Sequence, residues 1–493
     1  MPIKAAAHLP PRIREYEVWG RIGGGGMSDV FLARHEVLSV PVVIKTLRTE
    51  VGEDANTRLH RLVNEARLSA RIASHHIVPP LDAGLERDTP YLVQEYVDGL
   101  DLNEFDKRRR RALKRGLPLW FVCQAMAEIA DGLHAAHQTG VLHRDLKPSN
   151  LLFSFDGHKL GDFGIAIAKA YDRQAPDERE GTLRFMSPEA LRGDKLDRRA
   201  DVFSLGATAY DLRYGHPPFP DPKALLQGRA RVAFPPPTSP QEASFQHVIG
   251  RMLAYERVNR YRDLVEPRRH FAQLAKQLRR QVRASVQPDG SFVFGKTRII
   301  IEEGDISLAK VCGIISSAYY EMTMRAGVGD ALRRRGGDII EEEAMRDGEQ
   351  PLGACVVTSP GALSCRYVLH AVSAWKEASC IGRAMQRALL LAEELDLPTL
   401  AIPALGTGAG RITIEASANA IMRALTRHLM LGGSRLSTIH CYLDSPAKLR
   451  AFREVAEGVL LGESDEAAED TGLADELGDE PSPHGPTLHW PNT

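Results

Sequence analysis

At 493 residues the chain exceeds what one hydrophobic core supports, so two or three domains are expected. Hydrophobic residues make up 43% and charged residues 26%, the balance of a soluble globular protein; no apolar run approaches the ~20 residues that span a bilayer. The net charge of −1 conceals a segregation: residues 462–493 hold nine Asp and Glu and no Lys or Arg, which leaves 63 basic against 55 acidic groups elsewhere, or +8. That balance permits a basic surface without demanding nucleic acid. Six scattered cysteines, lacking C-x-x-C pairs, read as buried small apolar residues in a reducing compartment. The first residues lack the apolar core of a signal peptide.

In chain order, Tyr16 to Ile22 reads as a strand, followed by the turn Gly23-Gly24-Gly25-Gly26-Met27-Ser28-Asp29-Val30. Glycines there let backbone N–H groups approach phosphates without side-chain clash. Val42-Val43-Ile44-Lys45 is an apolar strand, and a buried lysine on it needs a partner. Glu65, on the helical stretch from Thr57 to Ser74, is the expected one. Tyr91 to Gly99 is a strand ending in a turn, and Lys107-Arg108-Arg109-Arg110-Arg111 reads as a solvated basic insertion with no nucleic-acid role. His143-Arg144-Asp145-Leu146-Lys147-Pro148-Ser149-Asn150 then precedes Asp162-Phe163-Gly164. These segments supply what phosphoryl transfer needs, which is positioning and charge cancellation rather than covalent help. Asp145 can orient a hydroxyl and accept its proton, Lys147 can neutralise the moving phosphoryl, and Asn150 and Asp162 are hard oxygen ligands for magnesium.

The ordered set resembles the eukaryotic-type protein kinases in their prokaryotic branch, over residues 13–280. The lysine two places after Asp145 is similar to the serine/threonine rather than the tyrosine branch. The resemblance implies a bilobal α+β fold that uses ATP and Mg2+. Ile22, Gly23, Gly25, Gly26, Val30, Val43, Lys45, Glu95, Val97 and Leu152 would contact ATP, with Val30, Val43 and Leu152 on the adenine faces and the backbones of Glu95 and Val97 on its edge. Gln94 takes the gatekeeper place, and Lys45 pairs with Glu65. Ser28 replaces the usual third glycine. Asp201 is expected to brace the catalytic loop and Arg260 to pair with Glu189. Between Ile165 and Gly181 there is no Ser or Thr, and Asp177, Glu178 and Glu180 stand there as candidate replacements for an activating phosphate. Relatives of this kind often carry a transmembrane helix; its absence here implies a cytoplasmic kinase. Dimerisation through the kinase domain is a possibility the resemblance brings with it.

After a polar linker at 281–294, apolar runs alternate with helices near 328–346, 380–396 and 413–431, which implies an α/β/α layered sheet over 295–461. His370 lies in one apolar run and reads as a core histidine. The turns Gly304-Asp305-Ile306, Gly327-Val328 and Gly406-Thr407-Gly408-Ala409-Gly410 together resemble a macrodomain. That resemblance implies ADP-ribose, free or attached to partner proteins, with Asp305 on adenine, Ile306 beside it, and the two glycine turns on the diphosphate and distal ribose. The family's asparagine segment reads Ser316-Ser317-Ala318-Tyr319, its catalytic aspartate is replaced by Gly329 with Asp330 one place late, and Ile412 stands for an aromatic. Binding is therefore expected and ADP-ribosyl hydrolysis is not. Residues 462–493 read as a disordered acidic tail. The expected protein is a serine/threonine kinase of protein substrates joined to a macrodomain; the alternative is an ATP-binding scaffold without turnover.

Overall fold

The computed structural model describes residues 12–24, 28–38, 40–47, 63, 66–67, 69–86, 89–97, 99–155, 157–162, 183–279, 284–373, 378–408 and 410–461. The first unit is an antiparallel sheet of β1 (Arg12–Ile13), β2 (Tyr16–Gly24), β3 (Ser28–His35), β4 (Pro41–Leu47), β5 (Pro80–Glu86) and β6 (Thr89–Glu95), in the order β1-β2-β3-β4-β6-β5. Alternation on β4 sets its chemistry: Val42 and Ile44 enter the core with Phe31, Tyr91 and Val93, which turns Val43 and Lys45 to the other face.

The second lobe begins with β7 (Gly99–Asp101) and α1 (Leu102–Leu113), where Asp101 accepts from Glu104 N at 2.9 Å and caps the helix. The apolar helix α2 (Leu119–Gln138) runs through its centre. β8 (Leu151–Ser154) and β9 (Gly157–Leu160) pair with each other, and β8 pairs with β7. Helices α3 (Pro188–Arg192), α4 (Arg198–Tyr214), α5 (Pro222–Leu226), α6 (Pro240–Met252) and α7 (Val265–Arg279) complete the lobe, with α7 and α4 against α2. No helix among the described residues is long and apolar enough to cross a membrane.

The third unit is an eight-stranded sheet. Its strands are β10 (Ser285–Val286), β11 (Phe292–Phe294), β12 (Thr297–Glu303), β13 (Gly313–Ala318), β14 (Cys355–Thr358), β15 (Tyr367–Val372), β16 (Thr399–Pro403) and β17 (Thr438–Leu443), in the order β10-β11-β12-β17-β16-β13-β15-β14. The β12-β17-β16-β13-β15 core is parallel. Neighbouring residues point to opposite layers: Ile314, Val368 and Ala401 pack under α8 (Gly327–Gly336) and α9 (Ile339–Met345), while Ile315, Leu369 and Ile402 pack under α10 (Ala378–Glu394), α11 (Ile414–Met430) and α12 (Pro446–Leu461). Burial on both faces is why these strands are continuously apolar.

Three expectations are corrected. Residues 281–294, read as a linker, contain β10 and β11, which add to the sheet edge through Phe292↔Ile299 and Val286↔Phe292 pairs. The helix expected near 328–346 is two helices, because Gly337 adopts φ 98°, which ends the helical turn. The basic run is no solvated insertion; it lies on α1 and joins the two domains. Arg108 grips Glu394 through Nε and Nη2 at 2.6 and 2.7 Å, and Arg109, 3% exposed, donates to the carbonyls of Leu431 and Gly432 at the end of α11. Burial lowers the Arg109 guanidinium to about 10. Trp120 Nε1 donates to Met430 O at 3.0 Å, and Leu390 and Leu431 enter the core of the kinase-like lobe.

Candidate functional site

The segment between α2 and β8 is held from below by one buried carboxylate. Asp201 on α4, 1% exposed, accepts from His143 N at 3.0 Å, Arg144 N at 2.9 Å and His137 Nε2 at 2.8 Å. Burial alone would raise this carboxyl, yet the His137 and backbone hydrogen bonds keep it below its usual value. The bracing lets Arg144 hold φ 67°, an uncommon angle for a side-chain-bearing residue. His143 ties the loop to the strand after it: Nε2 donates to Gly161 O at 2.9 Å, and Nδ1 accepts from Asp145 N at 3.3 Å.

On this platform Asp145 is 6% exposed. Lys147 Nζ lies 3.2 Å from its Oδ2. Asn150 Nδ2 donates to Asp145 O at 2.6 Å and to Oδ2 at 3.3 Å. With its nitrogen so used, Asn150 offers its amide oxygen, the hard donor a magnesium ion takes. Asp162, at φ 58°, forms an ion pair with Lys45. The structure thus brings together Lys45 from the small lobe and Asp145, Lys147, Asn150 and Asp162 from the large one.

Above them, Val30 pairs with Lys45 and Val43 with Gln94 in register, and Val30, Val43 and Leu152 are each half-buried. Ile22 sits at a register shift of β2, beside the Gly23↔Val30 pair. Gln94 is 6% exposed. Glu95 N is committed to Pro79 O at 3.3 Å and its carboxylate to Lys159, so its carbonyl is the group it can present to an amino group. Val97 follows it in the connection between lobes. Gly25, Gly26, Glu65 and the residues from Phe163 to Thr182, with Asp177, Glu178 and Glu180, lie outside the described residues.

Farther down, Glu189 and Arg260 are both fully buried and joined at 2.6 and 2.9 Å. Arg260 also donates to Arg199, Ala254 and Tyr255 carbonyls. Sequence reasoning missed a second pair, the half-buried Glu128 on α2 with the buried His158 on β9, at 2.7 Å. Burial would raise the Glu128 carboxyl, but His158 and Gln124 hold it down at about 2. Nothing in the local sequence links residues 30 positions apart on a helix and a strand.

In the other domain, the candidate residues gather beyond the carboxyl ends of the parallel strands, where ligands of such sheets sit. Asp305 caps its own turn, accepting from Ser307 N at 2.9 Å, while the Ile306 side chain is in the core, which leaves only its backbone to offer. Gly327 opens α8, and Val328 follows it half-buried. Gly406 adopts φ 74°, donates to Ser317 Oγ at 3.3 Å, and would bring a Cβ into tight contact with Ile381, Ser373 O and Ile412 at 3.0, 3.1 and 3.3 Å. Thr407 Oγ1 donates to Ala404 O, and Gly408 and Gly410 flank Ala409, which is outside the described residues. Asp330 is engaged by Arg333 and Arg334 of its own helix at 3.0 and 2.7 Å. His370 is a core residue: fully buried, bonded to Thr358 Oγ1 at 2.9 Å, and lowered to about 4 by burial.

A family model described as the protein kinase domain matches residues 16–266, and one described as the macro domain matches residues 315–421. The serine/threonine-protein kinase PknB of Mycobacterium tuberculosis is 35% identical over 277 residues, covering 53% of this chain and 42% of that protein. PknB of Mycobacterium leprae is 34% identical over 273 residues, covering 52% and 43%. The chain therefore spans about two fifths of the length of these curated relatives. The crystal structure of the Mycobacterium tuberculosis PknI kinase domain is 27% identical, with a TM-score of 0.42, covering 53% of this chain and 97% of that one.

Proposed function

The chain belongs to the protein kinase family and carries a macro domain behind its kinase domain, and from this we propose that it transfers the γ-phosphoryl group of ATP to serine or threonine hydroxyls of proteins. One observation carries the reading: the Asp201-braced loop delivers Asp145, Lys147 and Asn150 to the place where Lys45 and Asp162 meet. Asp145 orients the acceptor hydroxyl and takes its proton. Lys147 offsets charge on the transferred group, and Lys45 holds the nucleotide phosphates. Asn150 and Asp162 would hold magnesium, which neutralises phosphate charge when bound. Glu95 and Val97 would bind the adenine edge, with Val30, Val43 and Leu152 on its faces. The family assignment and the serine/threonine kinases among the relatives support this over a scaffold that binds ATP idly. The test is label transfer from γ-labelled ATP to a protein acceptor; label on serine or threonine is expected, and nucleotide binding without transfer would overturn the proposal.

For the macro domain the supported reading is capture of an ADP-ribose group. The positive-φ Gly327 and Gly406 turns, set at the carboxyl ends of parallel strands, favour it. Hydrolysis is disfavoured because Asp330, the nearest carboxylate to the usual catalytic place, is committed to two arginines. Titration calorimetry of the full chain with ADP-ribose checks this. Binding is expected, and Asp305→Ala should weaken it about tenfold, roughly 1.4 kcal/mol. No heat at millimolar ligand would remove the reading.

A further inference from the structure

The macro domain meets the kinase lobe at a point that neither proposed site includes. Gly382 is the fifth residue of α10 and is buried. Glycine inside a helix weakens it relative to alanine, so a glycine kept there answers to a close approach. The approaching group is Phe155, which follows β8 directly in the turn to β9. A Cβ built on Gly382 would meet Phe155 Cγ and Cδ2 at 2.5 Å and Cδ1 at 2.6 Å. Cγ is the ring atom nearest the backbone, so spinning the ring gives no relief: the side chain must swing or the turn must shift.

Phe155 is held in place from the macro-domain side. It packs against the apolar core under α10, α11 and α12, across the boundary from its own lobe. Arg427 of α11 donates from Nη1 to Phe155 O and lies over the Phe155 ring, with Cζ 5.3 Å from the centroid. A ring seated on glycine, faced by a guanidinium and tied at its own carbonyl has little room to swing.

The hairpin that carries this ring at its tip has the two proposed metal ligands at its open end. Asn150 directly precedes β8, and Asp162 lies two residues beyond β9. Between them Leu151↔Leu160, Leu152↔Lys159, Phe153↔His158 and Ser154↔Gly157 pair in one unbroken ladder, which Gly161 N extends by donating to Asn150 O at 2.9 Å. Phe155 therefore stands about 16 Å along the strand from Asn150. The kinase lobe holds the flanks: β7 pairs with β8, and Lys159 reaches the Glu95 carboxylate at 2.6 and 2.8 Å. A shift imposed at the tip travels down the ladder, because breaking its bonds costs more than moving the paired strands together.

On the kinase reading above, we propose that Gly382 of the macro domain is a positioning residue for phosphoryl transfer: by seating Phe155 it sets the β8–β9 hairpin so that Asn150 and Asp162 are spaced for magnesium. The macro domain is then part of the framework of the kinase site.

Three variants of the full chain test this: Gly382→Ala, Phe155→Ala, and the size swap that joins Gly382→Leu to Phe155→Ala. Label transfer from γ-labelled ATP is followed across magnesium concentration. The half-saturating magnesium concentration should rise about fivefold in each single variant, and the swap should return it to within about twofold of wild type. The rate at saturating magnesium should stay within about twofold throughout, a split that general unfolding does not produce. Hydrogen exchange, run without nucleotide or metal, should show the β8 and β9 amides about fivefold faster in the single variants and restored in the swap. Helix propensity alone would make Gly382→Ala stabilising, so a loss there points to the Phe155 contact. With a wild-type chain that transfers label, unchanged magnesium dependence and exchange in the variants, or a loss of rate equal at every magnesium concentration and unrescued by the swap, would overturn the proposal and leave the kinase reading intact. A wild-type chain that transfers no label would overturn the kinase reading and the proposal with it.

Discussion

Asp145→Asn is expected to lower the turnover of phosphoryl transfer by about 10³-fold while leaving nucleotide affinity within twofold of wild type. The substitution keeps shape. An amide oxygen at the same place still accepts from Asn150 Nδ2, 3.3 Å from Oδ2 in the wild type, and the loop is held independently by Asp201. What disappears is the negative charge beside Lys147 Nζ, 3.2 Å away, and the capacity to take a proton from the acceptor hydroxyl. Neither loss touches Lys45 or Asp162, the ion pair to which the proposed function assigns the nucleotide end of the site. Steady-state kinetics with a serine acceptor, set beside nucleotide titration, separates the two effects. A fall of only a few-fold would remove Asp145 from the chemistry, and a matching loss of affinity would mean that the loop itself had collapsed.

Arg260→Met is expected to destabilise the large lobe by about 3–5 kcal/mol. The reason lies in what remains behind. Arg260 makes two bonds to the fully buried Glu189, at 2.6 and 2.9 Å, and others to the Arg199, Ala254 and Tyr255 carbonyls. Its guanidinium also lies 4.8 Å from the Phe203 ring centroid. Removing it strands a carboxylate in the interior and unpairs the carbonyls together. Glu189→Gln strands the opposite charge and should cost a similar amount, whereas the double change Arg260→Met with Glu189→Leu should recover much of the loss. Urea unfolding followed by the tryptophan fluorescence of the lobe measures all three. Single changes that cost less than 1 kcal/mol would show the pair to be replaceable.

The kinase half was legible because its chemistry is written in short contiguous runs. His143 to Asn150 lie on one loop, and the bonds among Asp145, Lys147 and Asn150 span five residues or fewer. The partnership of Arg260 with Glu189 spans 71 residues, and only the family resemblance pointed to it. The layering of the second domain was readable from apolar runs such as Ile314–Ile315 and Val368–Leu369, whose neighbours feed opposite faces of a parallel sheet. Edges and junctions were not readable. β10 and β11 are two and three residues long and become strands only by pairing with the sheet edge. The arginines of α1 carry the pattern of a solvated face, and what buries Arg109 is a pair of carbonyls 322 and 323 residues away. The His158–Glu128 pair hid for the same reason: a histidine on a short strand looks like any other until the helix that faces it is known.

The central claim, that this constellation transfers phosphate rather than merely holding ATP, is met most directly by one measurement. The full chain is incubated with γ-labelled ATP, magnesium and a protein acceptor, and label on acceptor serine and threonine is followed beside an Asp145→Asn control. The account predicts incorporation by the wild-type chain that is abolished by chelating the metal and falls to background in the variant. Saturable ATP binding with no incorporation above the Asp145→Asn background would contradict it and leave a scaffold in its place.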